Sequence, residues 1–190
     1  MRFYCACEQY IGYKPMINKF WISLLILVPT SSPNLIYQCG INSRPVSTPV
    51  GRFDDNQDGT LTDIETGLTW MRCALGQDWN GLTCLGEASP YTWSAANDQV
   101  ILNNDNGGFA NYNDWRLPHL PELAGIIENQ CNNPRINLML FPNTPALPFW
   151  SASVKKGVDH IAYTLSFGKE GVQIMNKETV HRVRLVRGRN

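Results

Sequence analysis

Three groups of side chains in this 190-residue chain have the types and spacings that chemistry needs. Asp54-x-Asn56-x-Asp58-Gly59, followed by Glu65, offers the hard oxygen ligands and turn glycine of a calcium loop. Asp114, Arg116 and Glu122 set an arginine between carboxylates that burial could tune for acid–base work. Lys155, Lys156, His160 and Arg182 are cations able to hold a sulfate or carboxylate. Trp79, in a loop, has an apolar face on which a sugar ring could stack.

Each group has a structural alternative. A calcium loop of that pattern needs a helix on both sides. Pro45, Pro49 and the strand-like Phe53 forbid the first, and Thr60, Leu61 and Thr62 favour a strand after the turn. The preferred reading is therefore a β-hairpin whose Asp and Asn side chains bond their own backbone. No cofactor is expected apart from that calcium alternative. Arginine is rarely buried unless paired, so Arg116 between Trp115 and Leu117 is expected to pair with Asp114 or Glu122 inside the molecule. Removing it would then cost about 3–5 kcal/mol, and Arg116→Ala is expected to misfold. Lys155 and Lys156 also read as an ordinary solvated loop. The closing Arg182, Arg184, Arg187 and Arg189 could together meet an anionic glycan. No Gly-x-Ser-x-Gly, His-Glu-x-x-His or Ser-His-Asp order occurs, and His119, His160 and His181 are far apart in sequence. Catalysis is thus the less favoured class.

The elements that must position these groups follow from pattern. Arg52-Phe53-Asp54 starts a strand, Asn56–Gly59 turns, Thr60–Asp63 returns, Glu65–Gly67 turns again, and Leu68–Met71 is a third strand. Thr92 or Ser94 caps a helix running to about Leu102. A second helix starts near Pro121 and runs to about Gln130, with Leu123, Ile126 and Ile127 as its apolar stripe. Phe149–Ser153, Ile161–Phe167, Val172–Met175 and Val180–Val186 read as strands. In the last, Val180, Arg182, Arg184 and Val186 share one face. The class is α+β, with many loops.

A formal net charge of zero gives no support for a nucleic-acid or membrane-surface binder. Lys19, the apolar run Ile22–Val28 and the polar Pro29–Pro33 have the layout of a secretory signal, too short to span a bilayer comfortably. Met16 is a tidier start than Met1. The domain reading is residues 1–38 as extension and signal, 39–52 as extended lead-in and 53–190 as the folded domain. Ile36-Tyr37-Gln38 lacks the small residues that lipoprotein processing at Cys39 would favour. Without residues 1–15, Cys39, Cys73, Cys84 and Cys131 remain. Four cysteines permit three connectivities. Cys73 and Cys84 flank a Gly/Asn/Asp-rich loop, so Cys73–Cys84 is expected, leaving Cys39–Cys131. Zinc is disfavoured, because no Cys-x-x-Cys remains and the histidines are scattered.

Phe53-Asp-Asp-Asn-x-Asp-Gly-Thr-x-Thr-Asp-x-x-Thr-Gly-Leu-x-Trp70 resembles the opening of the bacterial domain of unknown function 1566. That family is also called the C-terminal domain of the Legionella collagen-like adhesin. Asn113-Asp-Trp-Arg-Leu-Pro118 with Glu122-Leu123, Phe149-Trp-Ser151 with Ser153, and Val183-Arg-Leu-Val-Arg187 follow in the same order. The closing match implies that Arg184 and Arg187 are structural, leaving Arg182 and Arg189 free for contact. The resemblance implies a C-type-lectin-like fold, with a twisted antiparallel sheet, two helices and long loops. It implies an exported binding domain for a surface glycan, sulfated in the best-described relative, or for a surface protein. The chain is also similar to formylglycine-generating enzyme domains, but it has no cysteine after Cys131 to carry that chemistry. A purely structural module of a surface assembly is the remaining alternative.

Overall fold

The computed structural model describes Cys39 and residues 45–188. Met16, the apolar run 22–28 and Arg189 lie outside the described residues. A short 3-10 turn, Val50–Arg52, leads into β1 (Phe53–Asp55), β2 (Thr60–Asp63) and β3 (Thr69–Met71), an antiparallel meander. At its first turn Gly59 has φ 89°, and an added Cβ would lie 2.9 Å from both the Phe109 ring and the Trp79 ring. Only glycine serves where two aromatic rings close on a left-handed residue.

β4 (Asp78–Trp79) and β5 (Cys84–Leu85) pair inside the loop closed by the Cys73–Cys84 disulfide. α1 spans Trp93–Asp105, and the Thr92 hydroxyl accepts from the Ala95 N–H at its start. It runs three residues past the expected Leu102 because its last turn has a task. Asn104 Nδ2 donates to the Trp115 carbonyl at 2.8 Å, and its Oδ1 accepts from the Trp115 N–H at 3.1 Å. Asn side chains favour such backbone-mimicking bonds.

α2 spans only Leu120–Gly125 instead of reaching Gln130. Beyond it the chain turns so that Glu128, 2 % exposed, receives the lead-in segment. Its carboxylate accepts from the Thr48 N–H and hydroxyl, both at 2.7 Å, and from the Gln130 N–H at 2.9 Å. The Cys39–Cys131 disulfide fastens the same junction.

β6 (Pro148–Val154), β7 (Ile161–Ser166) and β8 (Val172–Asn176) form a second antiparallel meander. The α+β class and the antiparallel pairing stand. The single twisted sheet does not, since the strands fall into separate sheets of four, two and three. The reason lies in the closing segment, which is not one strand over 180–186. Only β9 (Val186–Arg187) pairs regularly, with β3. Upstream, the backbone changes partner at nearly every residue. His181 bonds Tyr91 in both directions, Arg182 bonds Pro148 and Trp150, the Val183 carbonyl takes the Leu75 N–H, and the Leu185 carbonyl takes the Met71 N–H. The segment is therefore a seam between sheets, buried on both faces from Val183 to Val186. Alternation survives in it. Val183 and Leu185 join the cluster of Met71, Trp115 and Trp150, while Val186 joins that of Trp70, Phe141 and Phe149.

Arg184 is on the Val186 side and is fully buried. Nη1 donates to the Met71 carbonyl at 2.8 Å and to the Arg72 carbonyl, and Nη2 donates to the Thr144 hydroxyl at 2.6 Å. The guanidinium lies over the Phe141 ring at 4.9 Å. Burial pushes it down to about 9, so it stays charged at neutral pH.

Arg184→Ala should destabilise by roughly 3–5 kcal/mol, since it opens a cavity and leaves buried carbonyls without donors. Arg184→Lys should lose less, keeping the charge but reaching fewer acceptors. Urea unfolding measures both, and an alanine variant as stable as the parent would remove Arg184 as the tie between sheets.

Candidate functional site

The Asp114–Arg116–Glu122 group resolves into two separate ion pairs. Arg116 is bound through its backbone to Val186 in both directions, which fixes it beside α2. Its guanidinium meets Glu122 in a fork, Nη1 to Oε2 at 2.8 Å and Nη2 to Oε1 at 2.7 Å. Glu122 Oε2 also accepts from the His119 N–H at 2.6 Å, closing the first turn of α2. Burial works to raise the Glu122 carboxyl, but the Arg116 and His119 donors outweigh it and hold it below its ordinary range.

Asp114 turns away. Its carboxylate accepts from Arg187 Nε at 2.6 Å, which holds its pKa down, and the Arg187 guanidinium lies 3.7 Å over the Tyr112 ring. The Arg116–Glu122 pair is not interior either, being 20 % and 17 % exposed in its side chains. Solvent at that depth softens the penalty for losing Arg116, so the full cost expected of a buried arginine passes to Arg184.

The oxygen-rich set is spread over two turns. The Asp58 carboxylate accepts from the Thr60 N–H at 3.0 Å and its hydroxyl at 2.6 Å. Asn56 Nδ2 donates to the Thr60 and Thr62 hydroxyls at 2.8 and 3.0 Å. Asp54 is exposed on β1 opposite Thr62. Glu65 is on the β2–β3 turn, where it meets Arg52 Nε at 3.2 Å. Among the described residues no group of three or more His, Cys, Asp or Glu could hold a metal ion.

The expected ligand-binding residues are also dispersed. Lys155, Lys156 and His160 are exposed on the β6–β7 loop, where the Lys155 N–H bonds the Ile161 carbonyl. Trp79 is half-buried on β4, and Arg72 caps its ring at 4.6 Å. That leaves one face already occupied by a cation.

Arg182 differs from these. It lines a pocket of about 290 Å³ with Gln77, Ala88, Asn143 and Leu147, and the exposed Glu87 stands at the rim. Its Nε is buried without an acceptor, and none of the ion pairs among the described residues includes it. The pocket walls are fixed by hydrogen bonds. Gln77 Nε2 donates to the Asn143 carbonyl at 3.0 Å, and Asn143 Nδ2 donates to the Gly86 and Cys84 carbonyls at 3.1 and 3.2 Å. Sequence reasoning missed Gln77 and Asn143. The signal for Asn143 was local, a Pro-Asn turn whose Asn takes φ 53°, a region Asn tolerates better than most residues.

Residues 59–187 match the family model of the Lcl C-terminal domain. No curated protein matches the chain.

Glu122 and Glu128 are among the carboxylates that contribute to the acid stability. Burial raises Glu122 and Glu128, yet their donors hold both below the ordinary 4.5. A depressed folded-state pKa stabilises above the unfolded value, and the contribution is lost as pH falls through the folded one. Urea midpoints should therefore be highest at neutral pH and fall as it drops, first through His181, whose imidazole is held below its ordinary 6.5 by burial and the Arg182 charge, and then, below about pH 5, through the carboxylates. Glu128→Gln should lose about 1–3 kcal/mol at neutral pH and show a shallower acid limb. Parallel acid limbs in variant and parent would assign the acid loss elsewhere.

Proposed function

The chain belongs to the Lcl C-terminal domain family, and from that premise we propose that it is an exported recognition domain that binds an acidic group on a surface glycan through the Arg182 pocket. The family suggests a surface-associated, adhesin-like role. The two disulfides support export, since such bridges persist in oxidising compartments. No helix among the described residues is long and apolar enough to cross a membrane. A C-type-lectin-like architecture is part of the same reading. It is supported by the two helices, the antiparallel sheets and a final strand that returns to the first sheet.

The observation that carries the proposal is the unpaired Arg182 guanidinium in a formed pocket. A guanidinium presents a planar fork of donors that matches a carboxylate or sulfate. The backbone on both sides of Arg182 is held by Pro148 and Trp150, so the side chain projects from a fixed base. Ala88, Pro145 and Leu147 provide apolar surface for the ring that carries the acid. Glu87 at the rim opposes a run of negative charges, so the pocket suits one acidic group.

Glucuronate is the simplest probe. Isothermal titration should show weak binding, with a dissociation constant of about millimolar order. Binding should weaken in about 0.5 M salt, because the contact is electrostatic and near the surface. Arg182→Ala should abolish binding while leaving the melting temperature nearly unchanged. Equal binding by parent and variant, or binding by neither, overturns the assignment.

A further inference from the structure

Asparagine followed by glycine occurs twice among the described residues, at Asn80-Gly81 and Asn106-Gly107. Both steps are exposed, and a Cβ at either glycine would meet nothing within 4 Å. Such a step can react with itself. The glycine nitrogen attacks the side-chain Cγ, a new N–Cγ bond forms, and the Cγ–Nδ2 bond breaks as ammonia leaves with the glycine amide proton. Water then opens the resulting succinimide at either carbonyl, leaving aspartate or isoaspartate. Glycine permits the attack because no side chain crowds its nitrogen.

The fold treats the two sites differently. Attack requires the asparagine side chain to swing until Cγ faces the next nitrogen. Asn80 is held against this at the tip of the β4–β5 hairpin. Its N–H donates to the Thr83 carbonyl at 3.2 Å, and its Oδ1 accepts from the Leu82 and Thr83 N–H groups at 3.0 and 2.8 Å. Reorienting that amide for attack gives up both side-chain bonds. The Cys73–Cys84 disulfide closes the loop around the same tip.

Asn106 is held only through its backbone. It follows the last residue of α1, with φ −83° and ψ 22°, and its N–H donates to the Leu102 carbonyl at 3.1 Å. Its side chain enters none of the hydrogen bonds among the described residues, and the Gly107 N–H enters none of the turn and cap bonds. Helix ends fray, which gives this side chain further freedom.

We propose that Asn106 is a site of spontaneous deamidation, and that the change is transmitted from this exposed position to the core. Either product is a carboxylate at the C-terminal end of α1, where the helix dipole is negative. Asp105 is next to it, and the last turn holds no basic residue to offset the charge. Isoaspartate also lengthens the backbone of the cap. Through Asn104 the last turn grips both backbone groups of Trp115, which is 1 % exposed. Weakening that turn loosens the Trp115 side of the core. The proposal stands apart from the glycan reading, as neither Asn106 nor Gly107 lines the Arg182 pocket.

The test ages the oxidised protein at mildly alkaline pH and follows each site by peptide mass mapping, which reads the exchange of NH₂ for OH, with an isoaspartyl methyltransferase assay for the isomer. Asn106 should convert faster than Asn80 by about tenfold or more, because two hydrogen bonds hold Asn80 back. In the reduced protein in urea the two should convert at like rates. Asn106→Asp should lower the melting temperature by about 1–4 °C. Asn80→Asp should leave it nearly unchanged, because a carboxylate still accepts both N–H groups. Folded protein that converts Asn80 as fast as Asn106, or leaves Asn106 intact, overturns the site. A gap of the same size in urea assigns the difference to sequence and overturns the role of the fold. An Asn106→Asp variant as stable as the parent overturns the coupling to Trp115.

Discussion

Arg184 carries a positive charge into a fully buried place and joins none of the ion pairs among the described residues, and the closing segment seats it where carbonyls and rings converge. The Met71 and Arg72 carbonyls come from the end of the first meander, the Thr144 hydroxyl from the long loop before β6, and the Phe141 and Phe149 faces from either side of that loop's end. A buried charge that dipoles alone must satisfy tolerates little displacement of any of them, because each lost partner leaves desolvation uncompensated. The three sheets share few ladder bonds, so this convergence does much of the work that a continuous sheet does in other domains. It also explains why the seam from Val183 to Val186 is buried on both faces. A solvated face there would expose the guanidinium and release the carbonyls.

Glu128 is the same device with the sign reversed. Its carboxylate is buried and held by backbone N–H groups and hydroxyls of Ser47, Thr48 and Gln130. Where Arg184 joins sheets, Glu128 fastens the lead-in to the turn after α2, and Cys39–Cys131 closes the same junction covalently. A bridge spanning so much chain removes considerable freedom from the unfolded state, worth roughly 4–5 kcal/mol in the chain-entropy view. Cys73–Cys84 acts more locally, holding the loop that presents Gln77 to the Arg182 pocket. The Arg182 pocket thus stands largely on loops held by side-chain hydrogen bonds and a sulfur bridge instead of by regular structure.

Much of this frame was legible in the residues. Asp-Gly and Thr-Gly turns between β-formers gave the first meander, the period-two run at Ile161 gave β7, and the Gly/Asn/Asp-rich stretch between Cys73 and Cys84 pointed to their pairing. What sequence left open was partner choice. Asp114 stands two residues from Arg116, as an alternating strand would place a neighbour on the same face, yet it pairs with Arg187, and Glu122 takes Arg116 because α2 begins there. The length of α2 was overread because Ile126 and Ile127 continue its stripe, while the pull of Glu128 toward Thr48 is invisible to periodicity. The closing run was read as one strand because its alternation is real. Alternation reports which side a residue faces, not whether one neighbour or five supply the hydrogen bonds. Long-range contacts through the Phe141–Leu147 loop left no periodic trace at all.

The same partner choices bear on chemistry. Glu122 and Asp63 line one pocket, and both are held below their ordinary range by guanidinium donors after burial has worked against them. A general acid or base works best when its pKa lies near the operating pH, and reaching it means burial with the partner removed. Here the partners are present and the geometry is forked, so these groups are set to hold position and accept hydrogen bonds, not to exchange protons at neutral pH. The Arg182 guanidinium is a donor group instead, in none of the ion pairs among the described residues and lining a formed pocket, a geometry for binding an acceptor and not for exchanging a proton.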